Sequence, residues 1–338
     1  MRTFGKRTLP LIMMLMVAAN GLAQKINWMD YKKVSMQQVL DQAKKENKYV
    51  FVDIWTTWCG VCKAIDKYIF TRKDVSDFFN QHTVNLTFDA EYGAWRDVAH
   101  KFSATAYPTI LIVNPQGEIV WAIDNLGVPT PQQHEASKSE VGERMMEQAK
   151  LGIQLEQMSD EQLTDSTTFA LMKKYGVGFN TKAFIRLIDN KEVMLQKYGH
   201  AFVRLCKDAL GGASANMLTY GEGGTHVVNE NKMRIYEEVT RKLNLPDAPQ
   251  LLLEPKLNVA VGLGKWQEVL DLTESNFNVM SPYMFAEVIG EMAEGCQDKT
   301  LMNRAAPIFK KVMNIKCNDR EKDALTEAYH QFCEKTKQ

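Results

Sequence analysis

The chain has 338 residues, 41 basic and 41 acidic side chains, and 45% hydrophobic residues. This is the composition of an ordinary globular protein, and the length exceeds what one small α/β unit requires, so two domains are expected. The charge balance offers no basic excess for a nucleic-acid partner.

In chain order, Arg2, Lys6 and Arg7 precede an apolar run from Leu9 to Ala19. Gly21-Leu22-Ala23 then puts small residues where a signal peptidase reads. Residues 1–23 read as a secretory signal peptide. The apolar run is well short of the roughly 20 residues that span a bilayer, which argues against an uncleaved anchor. Residue 24 is Gln, not the Cys of a bacterial lipid anchor. The mature chain is expected to be soluble, in the periplasm or secreted, where disulfides persist.

Ser35-Met-Gln-Gln38 has the pattern of a capping box and predicts a helix to about Glu46, with turn-prone Asn47 after it. Tyr49 to Trp55 is an apolar, β-type strand. It delivers the run Trp58-Cys59-Gly60-Val61-Cys62-Lys63 onto the start of a helix beginning at Cys59. Asp74 to Asn80 predicts a short helix, Val84 to Phe88 a strand, and Trp95 to Phe102 a helix. Thr109 to Val113 and Ile119 to Ile123 predict a hairpin around Pro115-Gln-Gly117. The Pro-containing loop Gly127 to Gln133 interrupts this α/β pattern. A long polar helix from about Glu135 to Gln157 then connects to a region with wholly helical periodicity, and the boundary is placed near residue 150. The expected organisation is a domain over 24–150 and an all-α domain over 151–338.

The Cys59 to Cys62 spacing carries the chemistry. At a helix N-terminus, backbone N–H groups and the helix dipole stabilise a thiolate, making Cys59 the exposed nucleophile. Cys62, one turn on, is placed to resolve a mixed disulfide and leave a redox-active Cys59–Cys62 disulfide. The alternative, half of a zinc clip, needs two further ligands, and no second Cys-x-x-Cys or histidine pair is present, so no metal is expected. Asp53 lies inside the apolar strand, where a carboxylate is costly unless it has a role; it is the candidate proton acceptor for Cys62. Tyr107-Pro108-Thr109 opens a strand with a proline, a position that accommodates a cis bond.

Together, Asp53, Trp55, Trp58-Cys59-Gly60-Val61-Cys62-Lys63 and Tyr107-Pro108-Thr109 resemble the thioredoxin fold over about residues 25–130. The stretch from Lys63 to Val75 is similar to the thioredoxin-like domain of bacterial periplasmic thiol:disulfide interchange proteins. The resemblance implies a central mixed sheet flanked by helices and a cis Pro108 beside the cysteines. It further implies a substrate groove formed by Trp58, Gly60, Val61, Tyr107 and Pro108. The sequence departs from ordinary thioredoxins in having Gly60-Val61 where they have Gly-Pro, so no reduction potential carries over. Where many of them place a lysine near the buried aspartate, the aligned segment offers Asn85.

In the helical half, Ala260 to Leu270 resembles, weakly, the inter-helix turn of tetratricopeptide-type repeats, with a plain helical bundle as the alternative. Gly211 to Gly224 reads as a mobile loop lacking the signature of a phosphate-binding loop. If helices over about Ser281 to Glu294, Lys299 to Ile315 and Asn318 to Phe332 alternate up and down, Cys296 and Cys333 end at one pole and can form a structural disulfide. Cys317 then lies at the other pole. The alternative is that all the distal cysteines are buried, inert thiols.

The function expected is an exported thiol:disulfide oxidoreductase that reduces or isomerises protein disulfides. It requires no cofactor and is re-reduced by a thiol electron donor, which a membrane carrier could supply. Two other readings use the same residues. In one, the helical half captures a protein or peptide partner and the first domain is mainly a scaffold; in the other, Cys59 senses oxidants through a sulfenic acid.

Overall fold

The computed structural model describes residues 25–124, 126–127, 135–221 and 225–336. The expected signal peptide over 1–23 and most of the Gly127 to Gln133 loop lie outside these residues. No helix among the described residues is long and apolar enough to cross a membrane.

The first part of the chain runs β1 (Trp28–Asp30), α1 (Met36–Glu46), β2 (Tyr49–Trp55), α2 (Gly60–Tyr68), α3 (Lys73–His82), β3 (Thr83–Asp89), α4 (Trp95–Lys101), β4 (Thr109–Val113), β5 (Ile119–Ala122) and α5 (Glu135–Gln157). The predicted elements are present, and the capping box is complete: the Gln38 amide N–H donates to Ser35 Oγ while Gln38 Oε1 accepts from the Ser35 N–H. Asn47 closes α1 in the left-handed region at φ 52°. One strand was not legible: β1 has three residues, too few to show alternation.

The sheet order is β1-β3-β2-β4-β5, with β1, β3 and β2 parallel and β4 and β5 antiparallel to their neighbours. Buried on both faces, β2 divides its side chains by the period of two. Val50, Val52 and Ile54 face the core under α1 and α4, with Val39, Leu86, Phe88 and Trp95. Phe51 turns the other way, into a core shared with Ile65, Ile69 and Phe79 of the α2 and α3 side.

α5 has the predicted bounds but is not a polar connector. Met145, Gln148, Ala149 and Leu155 are fully buried. Gln148 Nε2 donates to the Asp124 carbonyl at 2.7 Å, and Gln148 Oε1 accepts from the Asp124 N–H and from Trp121 Nε1. The close approach depends on Gly152, where a Cβ would lie 2.3 Å from Trp121 Cβ.

Beyond α5 the chain continues through α6 (Asp160–Leu163), α7 (Ser166–Tyr175), α8 (Lys182–Asp189), α9 (Lys191–Tyr198) and α10 (His200–Ser214). There follow β6 (Leu218–Tyr220), β7 (His226–Val228), α11 (Glu230–Leu243), α12 (Ala248–Gly262), α13 (Trp266–Ser275), α14 (Pro282–Gly295), α15 (Lys299–Val312) and α16 (Asp319–Thr336). The region is largely rather than wholly helical, because β6 and β7 form an antiparallel hairpin. The Gly211 to Gly224 stretch is therefore not one loop. Its first four residues finish α10, Leu218–Tyr220 is a strand, and only 222–224 lie outside the described residues. Three-residue strands such as Leu-Thr-Tyr and His-Val-Val are too short to stand out from their glycine-rich setting. The predicted turn before Trp266 is present, with Gly264 at φ +65° and α13 starting at Trp266.

One apolar cluster runs from the sheet through α5 to α11, ending at Leu243; a second joins α12 to α16. Residue 150 lies inside α5, and packing is continuous across it. The Cys296–Cys333 crosslink is not formed. Although α14 and α16 pack closely, Cys296 is a buried thiol bonded weakly to the Asp298 carbonyl, and Cys206, Cys317 and Cys333 are free as well. Burial pushes the Cys206 thiol up to about 12.

Gly152→Val should destabilise the protein by about 1–3 kcal/mol through overpacking against Trp121, read as a lower urea midpoint with an unchanged m-value.

Candidate functional site

The local sequence places the cysteines. β2 ends at Trp55, a tight turn bonds the Cys59 N–H to the Thr56 carbonyl at 3.1 Å, and Cys59 becomes the N-cap of α2 in extended conformation. A side chain at that position turns back over the first turn and meets unsatisfied backbone donors. Cys59 Sγ accepts from the Cys62 N–H at 3.1 Å. The two sulfurs are joined in a disulfide. Cys59 is not the exposed group its position predicts: only 4% of it is accessible, against 7% for Cys62. Its cap geometry draws the sulfur inward, and Trp58 is the exposed aromatic residue of the motif, at 53%. Gly60 is exposed, and Val61 is half-buried.

Around this disulfide the expected residues converge. The Tyr107–Pro108 peptide is cis. The Tyr107 ring meets the Trp58 ring edge-on at 5.8 Å, and Trp58 Nε1 donates to Glu91 Oε1 at 3.1 Å. Pairing of β2 with β4 sets Ile54 opposite Thr109, so Pro108 comes next to the end of β2 from which the cysteine turn departs. The Thr109 hydroxyl ties this segment back to the Ala106 carbonyl at 2.7 Å.

Asp53 is buried beneath α2. It shares the sheet face of Phe51, and it feels the charge of Asp66, one helical turn beyond Cys62 and on the same side of α2. Desolvation pushes its carboxyl up to about 7, the Asp66 charge adds to the rise, and a hydrogen bond from Thr87 opposes it. That bond, Thr87 Oγ1 to Asp53 Oδ2 at 2.9 Å, corrects the neighbour expected from sequence. The parallel register sets Asp53 opposite Thr87 and Asn85 opposite Phe51. Asn85 instead accepts from the Thr83 hydroxyl and donates to Asn80. A hydroxyl in place of a cation near Asp53 leaves the burial effect largely uncompensated. Thr87 and Glu91 were not identified from sequence. Thr87 could have been found from the β2–β3 register, whereas nothing local to Glu91 marks it as the partner of Trp58. Lys63 is exposed on α2, while Trp55 packs edge-on to Tyr31.

The arrangement can exchange two electrons and two protons. A disulfide sits on backbone donors at a helix N-terminus, a carboxyl that titrates near neutrality lies below that helix, and an aromatic pair and Pro108 border it.

Residues 36–136 match the thioredoxin-like domain family. The thiol:disulfide interchange protein DsbD of Klebsiella pneumoniae is 34% identical over 92 residues, covering 26% of this chain and 15% of that protein. DsbD of Colwellia psychrerythraea is 29% identical over 133 residues, covering 34% and 22%. The chain thus spans less than a quarter of the length of these relatives. The solution structure of a candidate disulphide-isomerase from Bacteroides thetaiotaomicron is 32% identical and covers 39% of this chain and 97% of that one, with a TM-score of 0.30. By that family match and by the sheet order, residues 36–136 of this chain form a thioredoxin-like domain.

Proposed function

We propose that the protein is an exported thiol:disulfide oxidoreductase that reduces or isomerises protein disulfides. The observation that carries this reading is the Cys59–Cys62 disulfide at the N-terminus of α2, above a buried Asp53 and beside Tyr107-Pro108. Export rests on the signal-like residues 1–23.

In the reducing direction the cycle starts from the dithiol. The Cys59 thiolate, stabilised by the Cys62 N–H and the dipole of α2, attacks one sulfur of a substrate disulfide. The S–S bond breaks, and the departing substrate thiolate takes a proton from solvent. Asp53 accepts the Cys62 proton; because its carboxyl titrates near 7, both of its protonation states are populated at neutral pH. Cys62 then attacks Cys59 Sγ and expels the second substrate thiolate. The substrate leaves with two electrons, and the protein is left with the Cys59–Cys62 disulfide seen here. A thiol donor, by analogy with interchange systems a membrane-bound one, returns it to the dithiol. The exposed Trp58 and the neighbouring Gly60, Val61, Tyr107 and Pro108 form the surface on which an extended substrate lies. For isomerisation, Cys59 is released by a substrate thiol before Cys62 attacks.

A second reading, a partner-binding protein, draws on the large helical region, with α12 to α16 holding a core of their own. The intact disulfide beside Asp53 favours the enzyme.

Cys59→Ser should abolish insulin reduction, falling at least about 10³-fold as expected for loss of the nucleophile. Cys62→Ser should still attack and accumulate a mixed disulfide visible by mass spectrometry. Activity retained by Cys59→Ser would remove the enzyme reading.

Asp53→Asn should slow turnover by about 10- to 100-fold, the usual contribution of a general base, and flatten the pH–rate profile near 7. Its stability effect has the opposite sign. Native Asp53 holds its proton up to about pH 7, whereas in the unfolded chain it ionises near 4. Wild-type stability therefore declines as pH rises from about 4 to about 7. Urea unfolding should show Asp53→Asn equal to wild type below pH 4 and more stable by up to ~4 kcal/mol above pH 7.

A further inference from the structure

The first turn of α11 belongs to the helical region yet bonds to the chain leading into Tyr107-Pro108. Lys232 is only 6% exposed. Its Nζ donates to Thr105 Oγ1 at 2.8 Å and to the Asn216 carbonyl at 2.7 Å. Next to it, Asn231 Nδ2 donates to the Lys101 carbonyl at 2.9 Å. The helix start is itself fastened: Asn229 Oδ1 accepts from the Lys232 N–H, and the Asn229 N–H donates to the Met217 carbonyl.

Burying an ammonium carries a steep desolvation cost that only well-placed acceptors and countercharge offset. Burial draws the Lys232 ammonium down to about 8, and the Asp124 charge opposes that fall, so it stays mostly charged at neutral pH. One of its two acceptors is a threonine hydroxyl in the thioredoxin-like domain. Phe102 and Ala104 hold the segment before Thr105 by burial, whereas Ala106 is exposed. Thr105 is thus the last anchored residue before Tyr107. From it a continuous path of contacts leads to the disulfide. The Ala106 carbonyl accepts from Thr109, and the Tyr107 ring packs on Trp58, adjacent to Cys59.

We propose that Lys232 is a positioning residue for the redox site, fixing through Thr105 the Tyr107-Pro108 segment on which substrate is bound, so that the helical region completes the groove. This rests on the oxidoreductase reading for its kinetic consequence but not for its structural one. Lys232 touches neither cysteine; it acts by limiting the freedom of the loop that substrate pairs with.

The test uses the full mature chain with Lys232→Met, which keeps the aliphatic stem, and with Thr105→Val and Thr105→Ser. Hydrogen exchange at the amides of Thr105, Ala106, Tyr107 and Thr109 should accelerate about tenfold or more in Lys232→Met and Thr105→Val, the scale of a lost charge-assisted hydrogen bond. KM for insulin should rise about tenfold in both, with kcat within twofold of wild type. Thr105→Ser, which keeps the acceptor, should retain wild-type exchange and KM. If Lys232→Met does not fold, Thr105→Val decides alone. Unchanged exchange in folded variants would overturn the proposal, and faster exchange with unchanged KM would overturn its role in substrate binding. Should wild type fail to reduce insulin at all, the oxidoreductase reading fails, and exchange still decides whether Lys232 holds the loop.

Discussion

The register of β2 between a parallel β3 and an antiparallel β4 is the constraint on which the rest of the site depends. One side of β2 supplies the hydroxyl that meets Asp53. The other fixes Thr109 against Ile54 and so brings Pro108 to the end of the strand from which the cysteine turn leaves. Because side chains alternate with a period of two, a slip of one residue would move Asp53 from beneath α2 to the face covered by α1 and α4. Val50, Val52 and Ile54 on that opposite face are what prevent the slip, since each is fully buried.

Given that register, the chemistry follows from burial. A carboxyl placed among apolar side chains resists ionisation, and here only a threonine hydroxyl favours its charged form. A carboxyl held up to about 7 by burial is expected to cost stability at neutral pH, where it can also exchange a proton. The disulfide is buried for a related reason: the N-cap position that supplies backbone donors to Cys59 also turns its sulfur toward the helix. Flanking it at the surface is Trp58, with the Tyr107 ring packed on it, and there a second part of the chain comes close.

That second part is more intimately joined to the sheet than a tethered module would be. α5 lies across β5, with Gln148 bonding the backbone N–H and carbonyl of Asp124 just beyond that strand and the Trp121 indole within it, and a small residue at 152 allows the contact. α8 packs on the same strand, and α11 bonds to the segment after α4. The apolar core accordingly passes from sheet to helices without interruption, and the helices of α12 to α16 form a distinct cluster beyond it.

What the amino-acid sequence determined by itself was governed by neighbours along the chain. The Ser35 capping box, the strand Tyr49–Trp55, the cysteine pair at a helix start, the hairpin around Gly117 and the bounds of α5 all depend on spacing within a few residues. The tertiary structure alone decided what depends on residues far apart: Thr87 rather than Asn85 beside Asp53, the free state of Cys296 and Cys333, and the union of Lys232 with Thr105. These follow from strand register and from how helices settle on a sheet. Local periodicity says which face of an element is apolar but not which partner that face will meet.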